Sequence, residues 1–135
     1  MTSNTPSAPT VCVVDDDEAV RDSLQVLLTT RGFAVRTYES AKAFLGDSAR
    51  GSCQCLLLDM HMPEMMGLTL LMTLRAQGDF APTIVVTGAG DETLAELVMR
   101  EGALGLLKKP VDEGELIERV NRAIAEAGRI GYGAH

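Results

Sequence analysis

The chain has 135 residues, 46% of them apolar and 23% charged, which are the proportions of one globular domain. With 12 Lys and Arg against 19 Asp and Glu, the net charge of −7 excludes the basic footprint of a nucleic-acid binder. No apolar run approaches the roughly 18–20 residues of a membrane span, and the first ten residues lack the basic start and apolar core of a signal peptide, so a cytoplasmic location with no membrane contact is expected.

Residues 1–9, rich in Ser, Thr and Pro, read as a flexible lead-in. Val11–Val14 is a short β-rich apolar run, followed by Asp15, Asp16, Asp17 and Glu18. Val20, Leu24, Leu27 and Leu28 then fall at i, i+4, i+7 and i+8, which is one face of a helix, and Gly32 ends it. Ala34–Tyr38 is a weaker strand, and Ser40–Leu45 is one or two helical turns on a Ser cap. Cys55–Leu58 is the third apolar run and leads into Asp59. Leu68, Leu71 and Met72 with Arg75 predict a third helix. Thr83–Val86 is the fourth strand, followed by Thr87 and Gly88-Ala89-Gly90. Asp91–Glu101 predicts a fourth helix, with Asp91 as N-cap and Gly102 past its end. Leu104–Leu107 is the fifth strand and runs into Lys108, Lys109 and Pro110. Leu116, Ile117, Val120 and Ile124 form the last helical stripe, entered from Asp112. The domain is thus expected over residues 10–127, with residues 128–135 as a flexible tail.

The strands do not alternate cleanly between apolar and polar residues, so they belong in a parallel sheet covered on both faces. Five β-α units joined by right-handed crossovers give a doubly wound, three-layer α/β sandwich. Such folds bind ligands beyond the carboxyl ends of their strands. The residues expected there are Asp15, Asp16, Asp59, Thr87 and Lys109. Three crowded carboxylates repel, and a hard divalent cation held by oxygen ligands relieves that repulsion, which suits Mg²⁺. A carboxylate is already a nucleophile, so Asp59 needs no base. Phosphoryl transfer asks mainly for positioning and charge neutralisation, which Lys109 and the Thr87 hydroxyl can supply.

The 3 cysteines have no disulfide framework. A zinc site would need His61 or His135 as a further ligand, and buried free thiols are the expected state. Met60, Met62, Met65 and Met66 flank Asp59 and are expected to pack the loop rather than to bind a soft metal. The His61 side chain is placed at the rim of the cleft, and Lys108 faces solvent.

VCVVDDDEAVRDSL, CLLLDMHMPEMMG, TIVVTGAGD and GALGLLKKP resemble the receiver domain of two-component response regulators, collinearly from about Thr10 to Ala127. The resemblance implies a flavodoxin-like sheet of order 2-1-3-4-5, with Asp59 as the phosphoacceptor. It makes Asp16 a direct metal ligand and Asp15 a ligand largely through water, with the His61 backbone carbonyl completing a site for Mg²⁺ or Mn²⁺. Thr87 becomes the switch hydroxyl and Lys109 the phosphate-neutralising lysine, with a cis peptide between Lys109 and Pro110. Met62-Pro63 and Gly67 match the loop after the acceptor. Leu106 stands where the family usually has Tyr, Phe or His, Val111 stands where it usually has Phe, and His61 and Ala89 occupy variable positions. These departures bear on the aromatic relay and on the phosphoryl lifetime. Leu106 is expected to stay packed in one apolar position while the Thr87–Asp91 loop moves.

The implied function is a phosphorylation-dependent switch in a phosphorelay, fed by a sensor histidine kinase or a histidine phosphotransfer protein. The chain would catalyse only its own phosphorylation and dephosphorylation. A homodimer or an output domain would use the face of the fourth helix, fifth strand and fifth helix. A Mg²⁺-dependent phosphatase of the haloacid-dehalogenase type is the main alternative. It wants a second Asp where His61 stands, and a substrate cap for which no insertion is available. A flavodoxin-like electron carrier would need a first loop that cradles phosphate, and Asp15 to Glu18 would repel it. The sequence ends shortly after the last helix, so no DNA-binding output domain is expected in it, and both a stand-alone receiver and a fragment of a larger regulator fit.

Overall fold

The computed structural model describes residues 8–129. Residues 1–7 of the predicted lead-in and 130–135 of the predicted tail lie outside the described residues. The strands are β1 (Thr10–Val14), β2 (Ala34–Tyr38), β3 (Cys55–Asp59), β4 (Thr83–Thr87) and β5 (Gly105–Lys108). The helices are α1 (Glu18–Thr30), α2 (Ala41–Leu45), α3 (Gly67–Ala76), α4 (Glu92–Arg100) and α5 (Glu113–Arg129). All strand pairs are parallel, in the order β2-β1-β3-β4-β5. This is the expected doubly wound, flavodoxin-like arrangement.

The sheet divides the apolar residues by strand periodicity. Cys12, Val14, Leu56, Leu58 and Val85 face one side, under Phe44 of α2, Leu70, Leu71 and Leu74 of α3, and Val98 of α4. Val11, Val13, Leu57, Ile84 and Val86 face the other, under Leu28 of α1 and Leu116 and Val120 of α5. The central strands β1, β3 and β4 are therefore apolar on both faces, which is why their sequences do not alternate. The edge strand β2 does alternate, with its Ala34 and Arg36 side chains more exposed than Val35 and Thr37. Each fully buried Leu contributes about 1.5–3 kcal/mol.

Local signals set the helix ends. Asp17 caps α1 by accepting from the Ala19 and Val20 amides. Gly32 takes φ of 95° just after α1, and Gly102 takes 103° after α4, conformations that favour glycine. Ser40 caps α2 through the Ala43 amide.

Several details differ from the sequence reading. In α3, Met72 is 48% exposed and Leu70, Leu71 and Leu74 are buried. The run Leu68–Arg75 is apolar on more than one side, so its spacing does not single out a face. The fifth strand starts at Gly105, one residue later than expected; Leu104 donates its amide to the Thr83 carbonyl and leaves its side chain exposed. A 3-10 turn at Ser48–Ser52, capped by Asp47, was not anticipated. At the carboxyl end, α5 continues through residues 128 and 129.

Candidate functional site

The sheet register aligns the strand ends. Val14 is level with Leu58, Asp59 with Val86, and Thr87 with Lys108. Asp15, Asp59, Thr87 and Lys109 therefore emerge along one edge. Asp15, Asp59 and Thr87 are buried, at 3%, 4% and 3% exposure, while Asp16 is exposed.

Backbone bonds fix each position. The Asp15 amide donates to the Tyr38 carbonyl, and Arg21 donates to the Asp15 carbonyl at 2.8 Å. The Asp17 amide donates to Asp15 Oδ1 at 2.9 Å. Beyond Asp59, the Met60 amide donates to Val86 O. The Lys109 amide donates to Thr87 O at 2.8 Å. The Lys109–Pro110 peptide is cis. The chain turns after β3 so tightly that the Gly67 amide reaches Met60 O, and a Cβ at Gly67 would sit 2.5 Å from the Asp59 carbonyl oxygen.

One carboxylate oxygen from each of Asp15, Asp16 and Asp59 lies within 4.8 Å of the others. Lys109 Nζ is 3.2 Å from Asp59 Oδ1. That oxygen is buried, and the Lys109 ammonium is its partner. Burial pushes the Asp15 carboxyl above its usual range; the Asp17 amide opposes this, and the charges of Asp59 and Asp16 add to it. Burial works against the Lys109 ammonium, but the charge and contact of Asp59 together with the charges of Asp15 and Asp16 outweigh it, and the proton is held more tightly than in an ordinary lysine. Three hard oxygen donors whose charges repel one another fit a small divalent cation. Asp15, Asp16 and Asp59 are the residues that could hold it.

His61 lies at the rim, its side chain 57% exposed, and its Nε2 is 2.7 Å from Asp91 Oδ1. Asp91 does not cap α4 with its side chain, contrary to expectation. Its Oδ2 accepts instead from the Gly88 amide at 2.7 Å, because the loop turns the carboxylate back on itself. The Gly88 amide and His61 hold the Asp91 carboxyl below the usual carboxylate range. Sequence reasoning missed this role and that of Arg21; an Asp at a helix start signals a cap, and nothing local redirects it. Leu106 is half-buried against the core on the α3 and α4 side. Met60 and Met62 are buried, with Met65 packed beside them, so these three fill the loop as expected, while Met66 is half-buried at the N-cap of α3. The cysteines are free and buried. Cys12 and Cys53 lie in one core with their thiols in contact, and Cys55 lies in the other, so the three do not form one cluster. Burial pushes the Cys55 thiol up to about 12. His135 lies outside the described residues.

A parallel α/β sheet with acidic, hydroxyl and lysine groups gathered at its strand ends defines the class, and comparison with known proteins specifies it. The profile of the response regulator receiver domain matches residues 11–121, and the chain belongs to that family. It is 42% identical over 127 residues to the transcriptional regulatory protein FixJ of Azorhizobium caulinodans, covering 92% of this chain and 60% of that one. It is 37% identical over 117 residues to the response regulator protein TodT of Pseudomonas putida, covering 87% and 52%. The chain thus spans little more than half the length of these relatives. Among solved structures, a receiver domain protein from Clostridium thermocellum superposes with a TM-score of 0.83 at 28% identity, covering 90% of this chain and 98% of that one. FixJ-N superposes with a TM-score of 0.79 at 39% identity, covering 87% and 94%. Receiver domains of response regulators are signalling domains of two-component systems. Among the described residues no helix is long and apolar enough to cross a membrane.

Proposed function

We propose that this domain is a phosphorylation-dependent switch whose phosphoacceptor is Asp59, with a histidine kinase or histidine phosphotransfer protein as donor. The observation that carries this reading is the buried Asp59 oxygen, 3.2 Å from Lys109 Nζ and within the carboxylate cluster. In the step proposed, an Asp59 oxygen attacks the phosphorus of a phosphohistidine. The new P–O bond forms as the P–N bond breaks, and the electron pair leaves with the histidine nitrogen. Lys109 neutralises a phosphoryl oxygen, and the Thr87 hydroxyl donates to another. Asp15, Asp16, Asp59 and the His61 carbonyl would hold Mg²⁺ or Mn²⁺, which supplies charge neutralisation at the phosphoryl oxygens.

Thr87 drawn toward the phosphoryl group would carry the Gly88–Asp91 loop and α4 with it. Leu106, already packed on an apolar core, keeps its position. The names of the longer relatives point to a transcriptional output for the signal, delivered through the α4, β5 and α5 face to a second copy or an output domain. On this reading the domain acts in the cytoplasm, and its only catalysis is on its own phosphoryl group. The signalling role fits the family, which the phosphatase reading does not.

Beryllofluoride, a phosphoryl mimic, tests the assignment. With Mg²⁺ present, it should shift the amide resonances of Asp59, Thr87 and Lys109, and it should do nothing in the Asp59→Asn protein. Equal shifts in both proteins would remove Asp59 from the site.

A further inference from the structure

Asp91 stands at the N-cap of α4 yet gives that helix no side-chain bond. Both of its oxygens are used elsewhere. Oδ2 accepts from the Gly88 amide, closing the loop on itself, and Oδ1 meets His61 Nε2, each at 2.7 Å. His61 belongs to the loop after β3, 30 residues away in sequence. Asp91 is buried at 6% exposure, while the imidazole it meets is mostly exposed.

The two loops so joined are those that follow Asp59 and Thr87. Between Thr87 and Asp91 the chain is Gly-Ala-Gly, and Gly90 has φ of 88°. A segment of this composition has little stiffness of its own. Its position is fixed at one end by strand β4 and at the other by the Asp91 carboxylate at 2.7 Å and, more weakly, by the Asp91 amide, which donates to the Gly88 carbonyl at 3.3 Å. The Asp91 hydrogen bonds are therefore what the loop must exchange if Thr87 moves.

We propose that His61 and Asp91 form a latch that holds the Thr87–Asp91 loop in its resting position and thereby sets the balance between resting and activated conformers. The idea rests on the reading of Asp59 and Thr87 given above. His61 and Asp91 act here as positioning residues, since neither need touch the phosphoryl group. The His61 side chain, rather than its backbone carbonyl, forms the latch. Opening it breaks the contact at Asp91 Oδ1 and frees the carboxylate to take up the capping bonds that α4 lacks. Each conformer thus has a use for the same side chain, as a two-state element requires.

The test compares wild type, His61→Ala, His61→Gln and the double variant His61→Ala/Asp91→Asn. Amide exchange at Gly88 is measured by NMR in the free protein, and the beryllofluoride concentration for half-saturation is measured with Mg²⁺. His61→Ala should speed Gly88 exchange and lower half-saturation, each by about fivefold or more. His61→Gln retains a donor for Asp91 and should restore both toward wild type. Adding Asp91→Asn to His61→Ala should change half-saturation little further, because the bond is already lost. Gly88 exchange within twofold of wild type in His61→Ala, or no rescue by His61→Gln, would overturn the latch. Indifference of the wild-type protein to beryllofluoride would instead count against the phosphoacceptor reading, and Gly88 exchange in the free protein would still decide the latch.

Discussion

Asp15 is 3% exposed and lies beside two further carboxylates. Burial strips water from its charged form, and the charge of Asp59 adds repulsion, while Lys109 offsets part of it. An amide in its place keeps the bond from the Asp17 amide and removes the charge. Asp15→Asn should therefore raise the thermal midpoint of the metal-free protein by a few degrees, on the order of 1 kcal/mol. Added Mg²⁺ should stabilise wild type by mass action. Asp16→Asn should lose that response and Asp15→Asn should keep part of it. Scanning calorimetry with and without Mg²⁺ reads both effects, and equal metal responses in all three proteins would contradict the cation site. At this scale most of the candidate site was legible in the sequence, since residues directly after strands are placed by topology alone. The role of Asp91 was not, because a cap and a tie between two loops look the same in sequence.

Two elements are held by contacts that no periodicity encodes. The 3-10 turn at Ser48–Ser52 is tied to β2 by the Tyr38 hydroxyl, which donates to Asp47 Oδ2 at 2.5 Å. That bond, with the Ala49 amide, holds the Asp47 carboxyl below its usual range. A depressed acid contributes stability that is present above its unfolded value, near pH 4, and is lost as pH falls through the folded value. Tyr38→Phe should move the Asp47 carboxyl back toward the ordinary range and make the acid limb of stability shallower. A carboxyl NMR titration checks the first effect and acid unfolding the second; an unmoved Asp47 would contradict the account. The α3 start depends on Gly67, whose absent Cβ would fall 2.5 Å from Asp59 O. That neighbour is backbone and cannot rotate away, so Gly67→Ala should cost about 1–3 kcal/mol and disturb the Asp59 amide resonance. Urea unfolding and an amide spectrum test this, and wild-type stability with an unchanged Asp59 would contradict it. The 3-10 turn escaped the sequence reading because its residues, Ser-Ala-Arg-Gly-Ser, carry no apolar period. The helices with clear stripes, α1 and α5, were found where expected.

At the scale of the molecule, one sheet feeds two apolar cores and presents its carboxyl edge as a single row of functional groups. The apolar runs marked a parallel sheet covered on both faces, but its strand order came from the family resemblance, because β5, an apolar run like the central three, lies at an edge as β2 does. This arrangement brings Asp59, Lys109 and the acidic pair together from segments far apart in sequence. Everything proposed for the domain depends on Asp59 accepting a phosphoryl group in that setting. The most direct measurement is the intact mass of the protein after treatment with acetyl phosphate and Mg²⁺. A single phosphoryl adduct on wild type, absent when the cation is chelated and absent from Asp59→Asn, is the predicted result. An adduct of equal yield on Asp59→Asn, or one formed equally well without a divalent cation, would contradict it.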